Sequence, residues 1–226
     1  METNELIARL VADTAPVRRL SAPWIRMLLW LAVSLPYVAA VVLLMPLHVN
    51  WPQAIVDKPF MIEQIATLVT ALAAAVAAFC SVVPGYDRKI LLLPLAPLAI
   101  WLAILGQSCL QDWMGPGSGG LQLRPDWDCL LPAALVGIIP AFAMVMMLRR
   151  GAPLLPRATL ALGALAVAAL ANFGLRLFHL GDASIMVLFW HFGSVGVLSV
   201  LAACLGRYVL RWRRVARQAR TRAQSS

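Results

Sequence analysis

Six stretches of this chain are apolar for about the length of a bilayer crossing: residues 24–45, 60–83, 90–110, 129–148, 158–180 and 184–206. A helix rises about 1.5 Å per residue, so roughly 20 mostly apolar residues span the hydrocarbon core. In lipid, every backbone N–H and C=O must find its partner inside the protein, and runs of this length do so as helices. The breaks carry turn chemistry: "PLHVNWPQ", "PGYDRK", "GPGSGG", "RRGAPLLPR" and the short "HLGDAS". The prediction is an all-α polytopic membrane protein, a bundle of six transmembrane helices. Composition excludes the soluble alternative. Hydrophobic residues make up 62% of the 226 and charged residues 13%, where a soluble domain carries about 25% charged residues to solvate its surface.

The net charge of +9 is distributed as a membrane protein distributes it. Sixteen of the nineteen basic residues fall in the segments on one side of the six spans: Arg9, Arg18, Arg19, Arg26, Arg88, Lys89, Arg149, Arg150, Arg157 and seven arginines in the last twenty residues. The opposite loops hold Lys58 and Arg124, and Arg176 lies within or near the end of a span. The positive-inside rule then places both termini in the cytoplasm. The chain divides into a cytoplasmic arm (1–23), the transmembrane domain (24–206) and a basic tail (207–226) suited to anionic lipid headgroups. The dispersal of the basic charge among loops argues against direct nucleic-acid binding. Some twenty largely polar residues precede the first span, so no cleavable signal peptide is expected.

Three groups of residues are candidates for function. In the arm, Leu6, Ile7, Leu10 and Val11 form one stripe of a short helix, with Thr3 as N-cap and Pro16 as stop. Such a helix needs a surface for its stripe, either the bilayer interface or a cytoplasmic partner, which Glu5, Asp13, Arg18 and Arg19 would also meet. At the other membrane face, "CLQDW" ends the third span and "DWDCL" begins the fourth, which puts Cys109 and Cys129 at similar depth. That pair reads as a structural disulfide or inert thiols, as a redox switch, or as a metal site with His48 and His179, for which no ligand spacing speaks. Cys80 and Cys204 read as small apolar packing residues.

Polar groups inside spans form the third group. Asn172, Arg176 and His179 share a face of helix five, Glu63, Thr67 and Thr70 share one of helix two, and His191 lies about two turns into helix six. Their positions allow Glu63 to meet Arg176, or Arg176 to meet Asp182. They serve either interhelical hydrogen bonding or a ligand or proton path. No Walker, HExxH or GxSxG motif and no carboxylate pair within a span occurs, so neither an enzyme nor a cofactor is expected.

The stretches "ELIARLVADTAPVRRL", "SVVPGYDR", "LGQSCLQDW…DWDCL", "MLRRGAPLLPRATLALGALAVAAL" and "FHLGDASIMVLFWHFG" together resemble the NrsF-type negative regulators of sigma F, from about residue 3 to residue 207. The resemblance implies a bacterial inner-membrane anti-sigma factor. Such a protein holds an extracytoplasmic-function sigma factor inactive and releases it under metal or oxidative stress. It also implies that Cys109 and Cys129 are the family's paired cysteines, implicated in the response. The arm departs from other anti-sigma factors in lacking a sizeable cytoplasmic helical domain. Two rival functions are a small-molecule or ion transporter, which would need an inverted repeat or broken helices, and a periplasmic thiol–disulfide protein, for which CxxC spacing is missing.

Overall fold

The computed structural model describes residues 3–5, 8, 20–45, 56–114, 127–151 and 155–178. Among them are five long helices and no strand: α1 (Pro23–Leu44), α2 (Lys58–Cys80), α3 (Leu95–Met114), α4 (Trp127–Leu148) and α5 (Pro156–Phe178), with a 3-10 turn at Arg88–Leu92 before α3. Pro23, Pro59 and Pro156 stand in the first turns of α1, α2 and α5, where a missing N–H costs nothing and the fixed φ suits a helix. Four segments are long and apolar enough to cross a membrane: Pro23–Leu44, Lys58–Cys80, Arg88–Gln107 and Pro156–Leu177. The described apolar part of α4, Ala134–Leu148, is shorter. Helices thus occupy five of the six predicted stretches. The stretch 184–206, with His191 and Cys204, lies outside the described residues, as does the tail.

The core is apolar but also takes in polar groups, while many large apolar side chains lie on the outside. Leu28, Leu29 and Val33 of α1, Ile100 of α3, and Ile138 and Phe142 of α4 are exposed, while Ser34, Glu63, Gln64, Thr67, Thr70, Thr159 and Asn172 are buried. A bilayer favours such an arrangement, because it makes polar groups costly and large apolar ones cheap on the surface that faces it. The chain is a membrane protein.

The helices α2 and α5 share the largest packing face in the bundle. They run antiparallel, and two polar contacts fix their register. Ser81 Oγ and Thr159 Oγ1 are 2.7 Å apart at one end, and Arg176 meets Glu63 at the other. The span from 63 to 81 on α2 equals that from 159 to 176 on α5 within one residue, so neither helix slips along the other. At about 1.5 Å per residue this is roughly 27 Å, close to the hydrocarbon thickness. The fully buried residues between the clamps include the small side chains of Ala71, Ala74, Ala75 and Ala78 on α2 and of Ala166 and Ala169 on α5. Lipid supplies no hydrophobic drive for helices to associate, so close approach through small residues and hydrogen bonds must hold the pair.

The first helix is tied to the fourth by side chains that donate to main-chain carbonyls. Its buried row is Arg26, Trp30, Ser34, Val38 and Val42, a strict four-residue spacing. Arg26 Nη2 donates to Met147 O, Trp30 Nε1 to Pro140 O at 3.0 Å and Tyr37 Oη to Leu135 O at 2.7 Å. The sequence order of these pairs makes α1 and α4 antiparallel. Pro140 lies inside the continuous helix α4 and lacks the N–H that would bond the carbonyl of Val136, four residues back. The third helix packs on α2, at the edge of the bundle.

Gly174 sits where α1, α4 and α5 converge: a Cβ there would lie 2.5 Å from Val38 Cγ1 and 3.2 Å from Val136 Cγ1. Gly106, in α3, has nothing within 4 Å of the same position among the described residues. Gly174→Leu should therefore lower stability by about 1–3 kcal/mol through overpacking, read as the midpoint of SDS-induced unfolding. Gly106→Leu should leave that midpoint unchanged or raise it slightly.

Candidate functional site

One end of the bundle gathers the basic segments. Arg26, near the start of α1, places its guanidinium 4.7 Å from the ring centre of Phe79, near the end of α2, and donates to Met147 at the end of α4. Ser81, just past α2, meets Thr159 in the first turn of α5. The start of α1, the ends of α2 and α4 and the start of α5 are therefore at the same level. Around them Arg88, Lys89, Arg149, Arg150 and Arg157 are exposed.

Arg26 itself is buried, with 3% of its surface exposed. Its charge is held by the Phe79 π-face and by the negative end of the α4 dipole, where Met147 O lies. Its Nη1 has no hydrogen-bond partner among the described residues. The positive charge of nearby Arg150 opposes it.

The segment 81–94 at this end has a defined backbone. Gly85 takes φ +96°, a left-handed conformation that a side chain would disfavour. Asp87 Oδ1 accepts from Lys89 N at 3.0 Å and so caps the 3-10 turn. Val82 is fully buried against Gly151, where a Cβ would lie 2.6 Å from Val82 Cβ. Loops that are far apart in sequence thus lock together. Beside them a pocket is lined by Cys80, Tyr86, Arg88, Leu91 and Leu155, among others.

The opposite end holds an ion pair. Arg176 Nε donates to Glu63 Oε1 at 3.1 Å and Nη2 to Oε2 at 2.8 Å, a bidentate fork. The two side chains are 19% and 5% exposed. Bidentate geometry gives an Arg–carboxylate pair both strength and direction. One turn inward from the ion pair, on α5, lies Asn172, whose Nδ2 has no partner among the described residues; the same holds for both polar atoms of Gln64. Thr67 and Thr70 instead donate to carbonyls of their own helix, Glu63 O and Ala66 O.

A family model described as NrsF, negative regulator of sigma F, matches residues 10–212 of the chain. The chain belongs to the NrsF family. It is accordingly an anti-sigma regulator, with a sigma factor as its partner. No curated protein matches the chain, and no solved structure does.

For this NrsF member the structure joins Glu63 to Arg176 and places Asn172 on the same buried seam. In the arm, Thr3–Glu5 and Ala8 are helical and exposed, while Leu6, Leu10, Asp13, Arg18 and Arg19 lie outside the described residues. His48, His179 and Asp182 do as well. Cys109 is in the last turns of α3 and Cys129 in the first turn of α4, but their side chains lie outside the described set. Cys80 is a buried free thiol. Among the described residues no group of three His, Cys, Asp or Glu side chains forms a metal site.

Sequence reasoning overlooked Arg26, Trp30 and Tyr37 as ties to α4, and Ser81 and Tyr86 at the basic end. A signal for the first was present. The four-residue row from Arg26 through Trp30 to Ser34 puts polar and aromatic groups on one face of an otherwise lipid-facing helix. The ion pair yields a direct test. Glu63→Gln or Arg176→Gln alone should each cost about 3 kcal/mol of stability, because each breaks a largely buried bidentate ion pair by removing one of its charges. The pair Glu63→Gln with Arg176→Met should cost clearly less than the sum, measured as a double-mutant cycle of SDS-unfolding midpoints.

Proposed function

We propose that this chain is an inner-membrane anti-sigma factor. It crosses the membrane six times with both termini in the cytoplasm, sequesters an extracytoplasmic-function sigma factor and releases it on metal or oxidative stress. The observation that carries the reading is the gathering of three separated basic segments at one end of a bundle that belongs to a family of sigma regulators. Positive-inside makes that end cytoplasmic, which is where a sigma factor is. The basic tail rests on anionic headgroups of the inner leaflet.

In this reading the arm is the first grip on the sigma factor. Leu6 and Leu10 bury in a groove of the partner, and Glu5, Asp13, Arg18 and Arg19 meet its polar rim. The apolar anchors govern residence time and the rim charges the rate of encounter. The loop 149–157 is the second surface.

The signal enters at the opposite end. Cys109 and Cys129 face the periplasm, where a thiolate-seeking metal or an oxidant changes the bonding of the sulfurs. The packing of α3 on α2 and of α4 on α5 and α1 supports the transmission step. A push on α3 and α4 bears on the central helix pair, whose other end is the clamp between Ser81 and Thr159. Opening or closing a bridge is worth about 3 kcal/mol, enough to shift a two-state bundle.

A reporter for the target genes tests both halves. Deletion of residues 2–20 with membrane insertion preserved should derepress the reporter several-fold. Cys109→Ser with Cys129→Ser should fix expression at one level and abolish the response to metal and oxidant. Unchanged repression after the deletion removes the arm from the mechanism, and a normal stress response in the double variant removes the cysteines.

A further inference from the structure

The motif "SVVPGYDRK" (residues 81–89) has a structure that neither helix packing nor a plain basic loop requires. Its apolar and small positions are used inward. Val82 is buried against Gly151, Ser81 bonds Thr159, Val83 N donates to Cys80 O at 3.0 Å, and Gly85 turns the chain with φ +96°. Asp87 caps the 3-10 turn twice: its side chain accepts from Lys89 N at 3.0 Å and its carbonyl from Ile90 N at 3.1 Å. The result is a short loop held from both sides that displays Tyr86, 45% exposed, together with Arg88 and Lys89. Tyr86 and Arg88 flank the pocket floored by Cys80, Leu91 and Leu155.

Tyrosine and arginine on a preorganised loop, beside a pocket of mixed polar and apolar lining, are the side chains that carry binding energy in protein interfaces. Holding the loop in one conformation before binding removes much of the ordering cost. The charge around it is one-sided. Residues 81–94 and 149–157 contain Arg88, Lys89, Arg149, Arg150 and Arg157 against the single acid Asp87, whose carboxylate is occupied by the cap. Anionic lipid would be attracted to the same cations, but a lipid surface needs neither the turn at Gly85, nor the cap, nor a pocket beside an exposed tyrosine.

We infer that the loop 81–89, through Tyr86 and Arg88, is a docking site for an acidic segment of the sigma factor that inserts one apolar side chain into the pocket beside Tyr86. This rests on the reading of the chain as a sigma-sequestering protein. The arm and the loop would then grip the partner together, the arm by its apolar stripe and the loop by a fixed aromatic and basic pair.

The test is binding of purified sigma F from the same bacterium to the full-length chain in nanodiscs, with neutral and with phosphatidylglycerol-containing lipid. Wild type should bind in both. Tyr86→Ala and Arg88→Glu should each weaken binding by about tenfold or more, while Tyr86→Phe and Arg88→Lys should recover most of it. All four should keep the wild-type SDS-unfolding midpoint, because both side chains are exposed. Wild-type affinity in Tyr86→Ala and Arg88→Glu would overturn the loop assignment and leave sigma sequestration intact. A loss confined to phosphatidylglycerol discs would also overturn it, assigning the loop to the lipid surface. No binding by wild type would defeat sequestration itself, and the loop assignment with it.

Discussion

Everything else in the molecule is arranged around the contact between α2 and α5. Two antiparallel helices approach closely through alanines, and a polar contact closes each end of the interface. Between Ser81 with Thr159 and Glu63 with Arg176 there is no room for slippage, because a shift of one residue would break both at once. In lipid this matters more than it would in water. Apolar surface gains little by leaving lipid for protein, so packing and hydrogen bonds are what choose one arrangement over another. The first and fourth helices, tied to each other by three α1 donors aimed at α4 carbonyls, pack on this pair, and α3 lies against α2.

A membrane regulator must tell one compartment about the other, and a register-locked pair is a suitable element for that. In the proposed mechanism it moves as a unit and carries a displacement imposed at the ends of α3 and α4 to the loops 81–94 and 149–157.

Much of this was legible in the residues, and for identifiable reasons. Span length and turn chemistry located the helices because a bilayer sets their length. Arg176 and Glu63 stood out because ionised groups are rare inside spans and must pair. The basic loops pointed to one end because charge placement follows insertion. What could not be read was tertiary and main-chain. Arg26, Trp30 and Tyr37 bind carbonyls of α4, and a carbonyl leaves no mark in a sequence. Ser81 and Thr159 are ordinary hydroxyl residues until the register brings them together, and Gly151 reads as a loop glycine until Val82 fills the space above it. The arm, His191 and the thiols of Cys109 and Cys129 belong to the part of the account that rests on residue chemistry and family.

The central claim is that the basic end of this bundle faces the cytoplasm and carries the sigma factor. The most direct measurement is thiol labelling of Lys89→Cys in the otherwise native chain, read residue by residue from the masses of the labelled peptides. A membrane-impermeant maleimide should label it in inverted membrane vesicles and not in intact spheroplasts, and added sigma factor should slow the labelling. Labelling from the spheroplast exterior, or an unchanged rate with sigma factor bound, would contradict the account.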